Sequence, residues 1–184
     1  MTFASALLMS IAVPAADPNQ RTVFITSAAF NSSLGGLIGA DAKCQAEADD
    51  PASIVPSGTY MAWLSDGTDS PDTRFTKSSH PYLLPDGTKV AEDYTDLTDG
   101  SILHPLDMEP TGNRINGLDK FWTGTWADGT TTPLSVTCTG WKADPLTGHY
   151  GMHGQTNVTT SSWSTRHSNH SCRNSSARLL CFQQ

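Results

Sequence analysis

The sequence Phe-Trp-Thr-Gly-Thr-Trp-Ala-Asp-Gly-Thr occupies residues Phe121–Thr130, and Val-Thr-Cys-Thr-Gly-Trp follows at Val136–Trp141. Tryptophans are large apolar side chains that favour burial, and this region holds Trp122, Trp126 and Trp141. The pair Asp128-Gly129 is typical of a type I′ hairpin turn, in which both central residues have φ > 0. The pattern therefore predicts two core strands joined by a turn, with Cys138 bonded to another cysteine.

Composition and charge limit the class of protein. The chain has 184 residues, of which 37% are hydrophobic and 16% are charged, so it is long enough for one domain with a core. Its many Ser, Thr, Asn, Asp and Gly residues favour turns over helix interiors, which predicts a loop-rich, mostly β or α+β protein. The net charge of −7 and the scattered Lys and Arg residues disfavour nucleic acid, heparin and anionic membranes as partners.

The cysteines and the apolar start of the chain indicate an exported protein. Met1–Ala16 resembles a short signal peptide, with an apolar run at Phe3–Val13 but no basic residue before it. The alternative is a frayed apolar N-terminus. The remaining chain, residues 17–184, is predicted to be one domain, and it contains no other run near the ~20 apolar residues that span a membrane. Four cysteines allow three disulfide pairings and no Cys-x-x-Cys occurs, which favours disulfides in an extracellular, cell-surface or periplasmic location.

One segment of the chain has the pattern of a main helix. It is expected from Asp41 to about Asp49, after a glycine-rich approach at Leu34–Gly39. Asp41 is placed in the first turn, where a carboxylate suits the helix dipole. Helical spacing predicts that the buried face carries Leu37, Ala40, Cys44 and Ala48.

Short strands are predicted on both sides of this helix. They are expected at Arg21–Ser27, Thr59–Ser65, Tyr82–Leu84, Lys89–Ala91 and Ala177–Phe182, with one helical turn at Tyr94–Leu97. Strand alternation places Tyr60, Ala62 and Leu64 on one face, and Met61 and Trp63 on the other. Met108–Lys120 and Lys142–Asn169 are polar and rich in small residues, which predicts two long loops.

Six motifs occur in an order that resembles one family. They are Gly39–Cys44, Gly58–Ser65, Tyr82–Thr88, Trp122–Thr130, Cys138–Trp141 and Leu179–Phe182. The chain is similar, over about residues 21–184, to a family of bacterial exported domains with a C-type lectin-like fold, related in architecture to endostatin of vertebrate collagens. The resemblance implies a single α+β domain with a mixed twisted sheet, one main helix and long loops. It also implies two nested disulfides, Cys44–Cys181 and Cys138–Cys172.

The metal chemistry of C-type lectins is only partly present. These proteins bind sugar through a calcium ion held by loop carboxylates and amides, and their Glu-Pro-Asn signature is matched here only by Glu109-Pro110-Thr111. A threonine hydroxyl is a poorer calcium ligand than an amide oxygen. Asp66, Asp69 and Asp72 could together hold calcium, although a solvated turn explains the same spacing. Calcium is therefore the one cofactor that the sequence leaves open.

Catalysis has weaker support than binding. Serine, histidine and aspartate are plentiful, but no Gly-x-Ser-x-Gly elbow occurs, and a triad is defined in space rather than in sequence. The histidines fall in pairs, His149 with His153 and His167 with His170, whose surroundings do not favour the helix that zinc binding would need. A secreted hydrolase with a site built from loops, or a structural envelope or matrix module, remains an alternative to a binding domain.

The two long loops are the predicted sites of recognition, because core elements are committed to packing. In the first loop the hydrogen-bonding residues are Glu109, Asn113, Arg114 and Asn116. In the second, Tyr150 and Trp163 could stack on a sugar ring. The alternative is that both aromatics pack their own loop down beside Cys172. The sequence thus predicts an exported, non-catalytic domain that binds a glycan or a protein surface ligand at the cell envelope or outside the cell.

Overall fold

The computed structural model describes residues 15–142 and 149–184. Most of the predicted leader Met1–Ala16, namely residues 1–14, lies outside the described residues. The strands are β1 (Arg21–Ile25), β2 (Phe30–Asn31), β3 (Tyr60–Ala62), β4 (Tyr82–Leu83), β5 (Lys89–Ala91), β6 (Lys120–Trp122), β7 (Tyr150–Gln155), β8 (His167–Ser171), β9 (Ser176–Ala177) and β10 (Leu180–Gln183). The helices are α1 (Gly36–Ala48), α2 (Pro71–Arg74) and α3 (Tyr94–Leu97), with 3-10 turns at Leu134–Val136 and Ser161–Trp163.

These elements form a mixed α+β domain, as the sequence predicted. The central sheet has five strands in the order β3-β10-β1-β4-β5, and a three-stranded sheet has the order β6-β7-β8. β1 is antiparallel to β10 and parallel to β4, so the central sheet is mixed. A third, two-stranded sheet joins β2 to β9. No helix in the described residues is long and apolar enough to cross a bilayer.

Each face of the central sheet covers its own core. The disulfide core lies against α1 and includes Phe24, Ala40, Tyr60, Leu64, Trp122, Trp141 and the four cysteines. The aromatic core includes Val23, Ile25, Trp63, Phe75, Tyr82, Trp163, Leu180 and Phe182. Successive residues of a strand point to opposite faces. The predicted division of Tyr60, Ala62 and Leu64 from Met61 and Trp63 is therefore confirmed.

Helix α1 starts five residues earlier than predicted. Gly35 and Gly36 have φ of +86° and +73°, a conformation that glycine adopts without steric cost, and both N–H groups donate to the Trp141 carbonyl at 3.0 and 2.8 Å. Asp41 consequently lies beyond the first turn, and its predicted role at the helix dipole was wrong. Its carboxylate instead accepts from the Ala62 N–H at 2.9 Å and pairs with Arg74. The predicted buried face of the helix is confirmed.

Both disulfides form with the nested pairing that the family resemblance implied. Cys44–Cys181 joins α1 to β10 across 137 residues, and Cys138–Cys172 joins residues that are 34 apart. All four sulfurs lie in the disulfide core. The bonds therefore connect the main helix, the central sheet and the region after β8 on one side of the molecule.

The second predicted loop, Lys142–Asn169, contains much of the three-stranded sheet. Residues 143–148 lie outside the described residues, but β7 pairs with β6 and β8 in antiparallel register. The glycines that indicated a loop are needed for close packing. A Cβ at Gly151 would lie 2.7 Å from the Trp122 ring, and one at Gly154 would lie 2.0 Å from the Trp163 carbonyl oxygen. The loop prediction was wrong here because glycine in a strand can also mark a close approach.

The turn at Asp128-Gly129 exists, but the hairpin predicted around it does not. Gly129 has φ of +83° whereas Asp128 does not have positive φ, so the turn is not type I′. Only an isolated bridge between Thr125 and Thr131 extends it. The partner of β6 is β7 rather than the residues after the turn.

Candidate functional site

A groove of about 430 Å³ opens beside Trp126. Three segments line it: the end of α3 and its following turn, the turn after Thr125, and the 3-10 turn at Ser161–Trp163. The lining residues are Thr98, Asp99, Gly100, Trp126, Ala127, Asp128, Ser161 and Thr165. We call this site the Trp126 groove.

The indole of Trp126 is the large aromatic surface of the groove. Its side chain is 41% exposed, whereas Trp122 and Trp141 are fully buried. The change from a buried to an exposed tryptophan follows Gly124. This glycine has φ of +55°, and a Cβ there would lie 2.6 Å from the Ser65 carbonyl oxygen. The chain turns at this glycine and the strand alternation ends. The expectation that all three tryptophans belong to the core was therefore wrong for Trp126.

Hydrogen bonds to Ser164 fix the Trp126 segment to the aromatic core. The Trp63 Nε1–H donates to Ser164 Oγ at 2.8 Å, and Ser164 Oγ donates to the Thr125 carbonyl at 2.9 Å. Thr165 Oγ1 donates to the same carbonyl at 3.2 Å. Ser164 is fully buried. The backbone before Trp126 is thus held by the buried Ser164 and by Thr165, which lines the groove.

The opposite wall is held by Tyr94 and by the segment around Thr160. Thr98 Oγ1 donates to the Tyr94 carbonyl at 2.7 Å, and the Ile102 N–H donates to the Thr159 carbonyl at 2.8 Å. The Tyr94 hydroxyl lies behind Gly129, where a Cβ would come within 2.6 Å of it. Burial raises the pKa of Tyr94, so its phenol stays protonated. Only glycine fits this position of the turn.

The side chains of the groove are mainly hydrogen-bond acceptors. Asp99 Oδ1 accepts from the Ser101 N–H at 2.9 Å, and Asp128 Oδ1 accepts from the Thr130 N–H at 2.9 Å. The other carboxylate oxygen of each accepts no hydrogen bond from the part of the chain that the structure describes. Among those residues no lysine or arginine lines the groove. The groove therefore presents negative charge beside an aromatic face.

The predicted binding residues of the first loop lie elsewhere, and three of the four are engaged within the fold. Glu109 pairs with Arg178 at 3.0 Å, and Arg114 pairs with Asp107 and Asp86 at 2.6 Å each. Asn113 Nδ2 donates to Thr111 Oγ1 at 3.0 Å, while Asn116 is exposed. None of the four lines the Trp126 groove. Their role in ligand binding stays a prediction.

The two predicted aromatics of the second loop differ from each other. Tyr150 is 47% exposed at the start of β7 and does not line the Trp126 groove. Trp163 is fully buried, with its ring centroid 4.9 Å from that of Trp63. It cannot offer a ring face to a ligand, so that prediction was wrong. The alternative, in which both aromatics pack their loop down beside Cys172, is not what the structure has either, because Trp163 lies in the aromatic core and Cys172 in the disulfide core.

The predicted calcium cluster Asp66, Asp69 and Asp72 does not assemble. Asp66 Oδ1 accepts from the Thr68 and Asp69 N–H groups at 3.0 and 2.9 Å, and Asp72 pairs with Lys77 at 2.5 Å. Across residues 15–142 and 149–184 no group of three His, Cys, Asp or Glu side chains is arranged to hold a metal ion. Asp66 is committed to its own turn, which is the alternative that the sequence offered.

His153 and His170 meet on the neighbouring strands β7 and β8. Their ring centroids are 5.2 Å apart, and the His170 ring lies 4.7 Å from Trp122. Burial lowers the pKa of His170, despite its hydrogen bond with the Ser176 carbonyl. The helical spacing considered for zinc, within His149–His153 and within His167–His170, does not apply, because His153 lies in β7 and both members of the second pair lie in β8.

Comparison with known proteins adds no family assignment. A scan against protein-family models finds no match to the chain, and a search of curated proteins finds none. A sequence signal for the groove did exist, since Asp99-Gly100 and Asp128-Gly129 are two turn motifs and both contribute lining residues.

Proposed function

We propose that the chain is an exported, non-catalytic domain that binds a glycan or a similar hydroxyl-rich surface ligand in the Trp126 groove. The observation that carries this proposal is the 41% exposed indole of Trp126 in a groove lined by carboxylates and hydroxyls. Sugars present C–H faces that pack on an aromatic ring and hydroxyls that bond to polar side chains. An indole on a rigid support is suited to such a ligand because little side-chain entropy is lost on binding.

We further propose that the fold is of the C-type lectin-like class. Support comes from the nested disulfides, the single main helix against a mixed sheet, and the long connections. The calcium-dependent mode of sugar binding has less support. Glu109, the one carboxylate of the partial signature, accepts from Arg178 at 3.0 Å. The proposed binding therefore does not require calcium.

The location we propose is outside the cytoplasm, at the cell surface, in the periplasm or beyond the cell. Support comes from the two disulfides, since such bonds persist in oxidising compartments. The signal-peptide pattern at Met1–Ala16 agrees with that location. Glycans of cell envelopes and matrices are abundant ligands there.

The proposal can be tested on a glycan array with the oxidised protein. We expect binding to at least one class of glycan, unchanged by a calcium chelator, and lost in Trp126→Ala. Tyr150→Ala is the matched control, because Tyr150 is exposed to a similar extent but lies outside the groove. Binding that survives Trp126→Ala, or that Tyr150→Ala abolishes instead, would refute the assignment of this groove. Absence of any glycan binding would refute the function.

A further inference from the structure

Two of the three hydroxyl groups that line the Trp126 groove are already used as donors. Thr98 Oγ1 donates to the Tyr94 carbonyl at 2.7 Å, and Thr165 Oγ1 donates to the Thr125 carbonyl at 3.2 Å. A hydroxyl has one hydrogen to donate and two lone pairs to accept. Both threonines can therefore only accept hydrogen bonds from a ligand. Ser161 is the remaining hydroxyl that lines the groove.

The two carboxylates add acceptors that are fixed in orientation. Asp99 Oδ1 accepts from the Ser101 N–H and hydroxyl at 2.9 and 3.1 Å. Asp128 Oδ1 accepts from the Thr130 N–H and hydroxyl at 2.9 and 2.6 Å. One oxygen of each carboxylate is thus held by its turn, and the other remains available to a ligand. An ionised carboxylate accepts hydrogen bonds but cannot donate one.

The indole completes a site for positive charge. A cation near the face of a tryptophan ring is attracted by the quadrupole of the ring. Trp126 lines the groove beside both carboxylates, and no cationic side chain among the described residues lines it to compete. A neutral acceptor group of a ligand, such as an amide carbonyl, would be unfavourable here. It would face the lone pairs of the carboxylates and threonines, and two acceptors cannot form a hydrogen bond with each other. An acidic ligand would also meet repulsion from a chain of net charge −7.

We propose that the Trp126 groove selects glycans that carry free primary ammonium groups, with oligomers of glucosamine as the simplest example. This inference rests on the proposed glycan-binding function and specifies its ligand class. The ammonium group donates to Asp99 and Asp128, and a sugar face packs on the indole. N-acetylation removes the charge and replaces a donor group with an acceptor, so it weakens binding. A uronic acid oligomer is excluded by repulsion.

The test is a calorimetric titration of the oxidised protein with three sugar oligomers of equal length, in a mildly acidic buffer in which the amines are protonated and the aspartates remain ionised. These are a glucosamine oligomer, its N-acetylated counterpart and a galacturonic acid oligomer. We expect the first to bind at least tenfold more tightly than the second, and the third not to bind. Binding should weaken as salt is raised from about 0.1 M to about 1 M, because exposed charge pairs are screened.

Isosteric variants test whether the two carboxylates set this preference. Asp99→Asn and Asp128→Asn keep the side-chain oxygen that each turn needs while removing the charge. We expect each to weaken glucosamine binding roughly threefold to fivefold, and the double variant roughly tenfold, as for exposed charge pairs. The matched control is Asp69→Asn, since Asp69 is exposed and does not line this groove. It should bind like wild type.

The outcomes separate this inference from the function on which it rests. If the N-acetylated oligomer binds as tightly and still requires Trp126, the charge preference is overturned and the glycan-binding function stands. If Asp69→Asn weakens binding as much as Asp128→Asn, overall charge rather than the groove is responsible, and the inference is overturned. If no glycan of any charge binds, the proposed function itself has failed.

Discussion

The cores on the two faces of the central sheet are stabilised by different interactions. The disulfide core holds all four cysteines and the buried face of α1, whereas no cysteine belongs to the aromatic core among the described residues. The aromatic core depends instead on packed rings. The ring centroid of Trp63 lies 4.9 Å from that of Trp163 and 5.3 Å from that of Phe182. One face is thus cross-linked by covalent bonds, whereas the aromatic core on the other contains no disulfide among the described residues.

The two cores therefore differ in how they relate to the Trp126 groove. The Trp126 groove is supported from the aromatic core through Trp63 and Ser164. Disulfides stabilise chiefly by restricting the unfolded chain, so they need no contact with the groove. The comparison predicts that damage to the disulfide core lowers stability without changing ligand preference, while damage to the aromatic core affects both.

Loss of Cys44–Cys181 should have the largest effect on stability. The chain-entropy model gives about 5 kcal/mol for a loop of 137 residues and about 4 kcal/mol for one of 34, before native strain is subtracted. We therefore expect Cys44→Ala/Cys181→Ala to destabilise more than Cys138→Ala/Cys172→Ala. Urea unfolding of the two double variants and wild type measures this order. The reverse order would show that chain entropy does not govern the disulfide core.

Truncation of one tryptophan in each core should cost about 3–5 kcal/mol, as for other large-to-small core changes. Trp122 is fully buried against Trp141, and Trp63 is fully buried against Trp163. Under conditions where both variants remain folded, Trp63→Ala should weaken ligand binding while Trp122→Ala should not. Unfolding curves and titrations on the same samples check both parts. A Trp122→Ala variant with the melting temperature of wild type would contradict the assignment of the disulfide core.

Ser164→Ala should destabilise the protein by about 1–3 kcal/mol, the cost of leaving a buried polar group without a partner. The variant removes the acceptor of the Trp63 Nε1–H and the donor to the Thr125 carbonyl. We also expect weaker ligand binding, because the backbone below Trp126 loses a support. Ser162→Ala is the control, since Ser162 is partly exposed in the 3-10 turn that directly precedes Ser164. Equal unfolding free energies for the two variants would contradict the role given to Ser164.

The smallest effect concerns His170 at the edge of the disulfide core. Because its folded-state pKa is lowered by burial, the unfolded chain binds a proton more readily than the folded protein. Its contribution to stability is therefore present above the ordinary histidine pKa of about 6.5 and is lost as the pH falls through the folded-state pKa. Lys120 acts in the same direction as burial. Unfolding free energies measured from neutral to acidic pH should fall less steeply for His170→Gln than for wild type.

Those parts of the fold that follow local patterns could be predicted from the sequence. The alternation in Tyr60–Leu64 assigned these residues to the correct faces, because successive side chains of a strand point to opposite sides of the sheet. The start of α1 could not be predicted, since its first N–H groups bond to the carbonyl of Trp141, far away in the sequence. The strand β7 was missed because its glycines are required by the distant rings of Trp122 and Phe121.

The candidate site was missed for a related reason. Whether a tryptophan is buried depends on where the chain turns, and the chain turns at Gly124, a position where the distant Ser65 carbonyl leaves no room for a Cβ. Trp126 therefore could not be separated from Trp122 by residue type. The Asp-Gly pairs gave the positions of two turns, but only the fold brings Asp99 and Asp128 to the same groove.

The position of β10 has a consequence for how fast the protein folds. This strand lies between β3 and β1, and the Thr22 N–H bonds to the Gln183 side chain across 161 residues. The central sheet cannot close until residues 180–183 have been synthesised, and closing so long a loop carries an entropic cost before any contact is gained. Chains dominated by such distant pairings fold slowly, in milliseconds to seconds rather than microseconds. A growing polypeptide that has not yet reached residue 180 therefore lacks the strand that joins β3 to β1 in the central sheet.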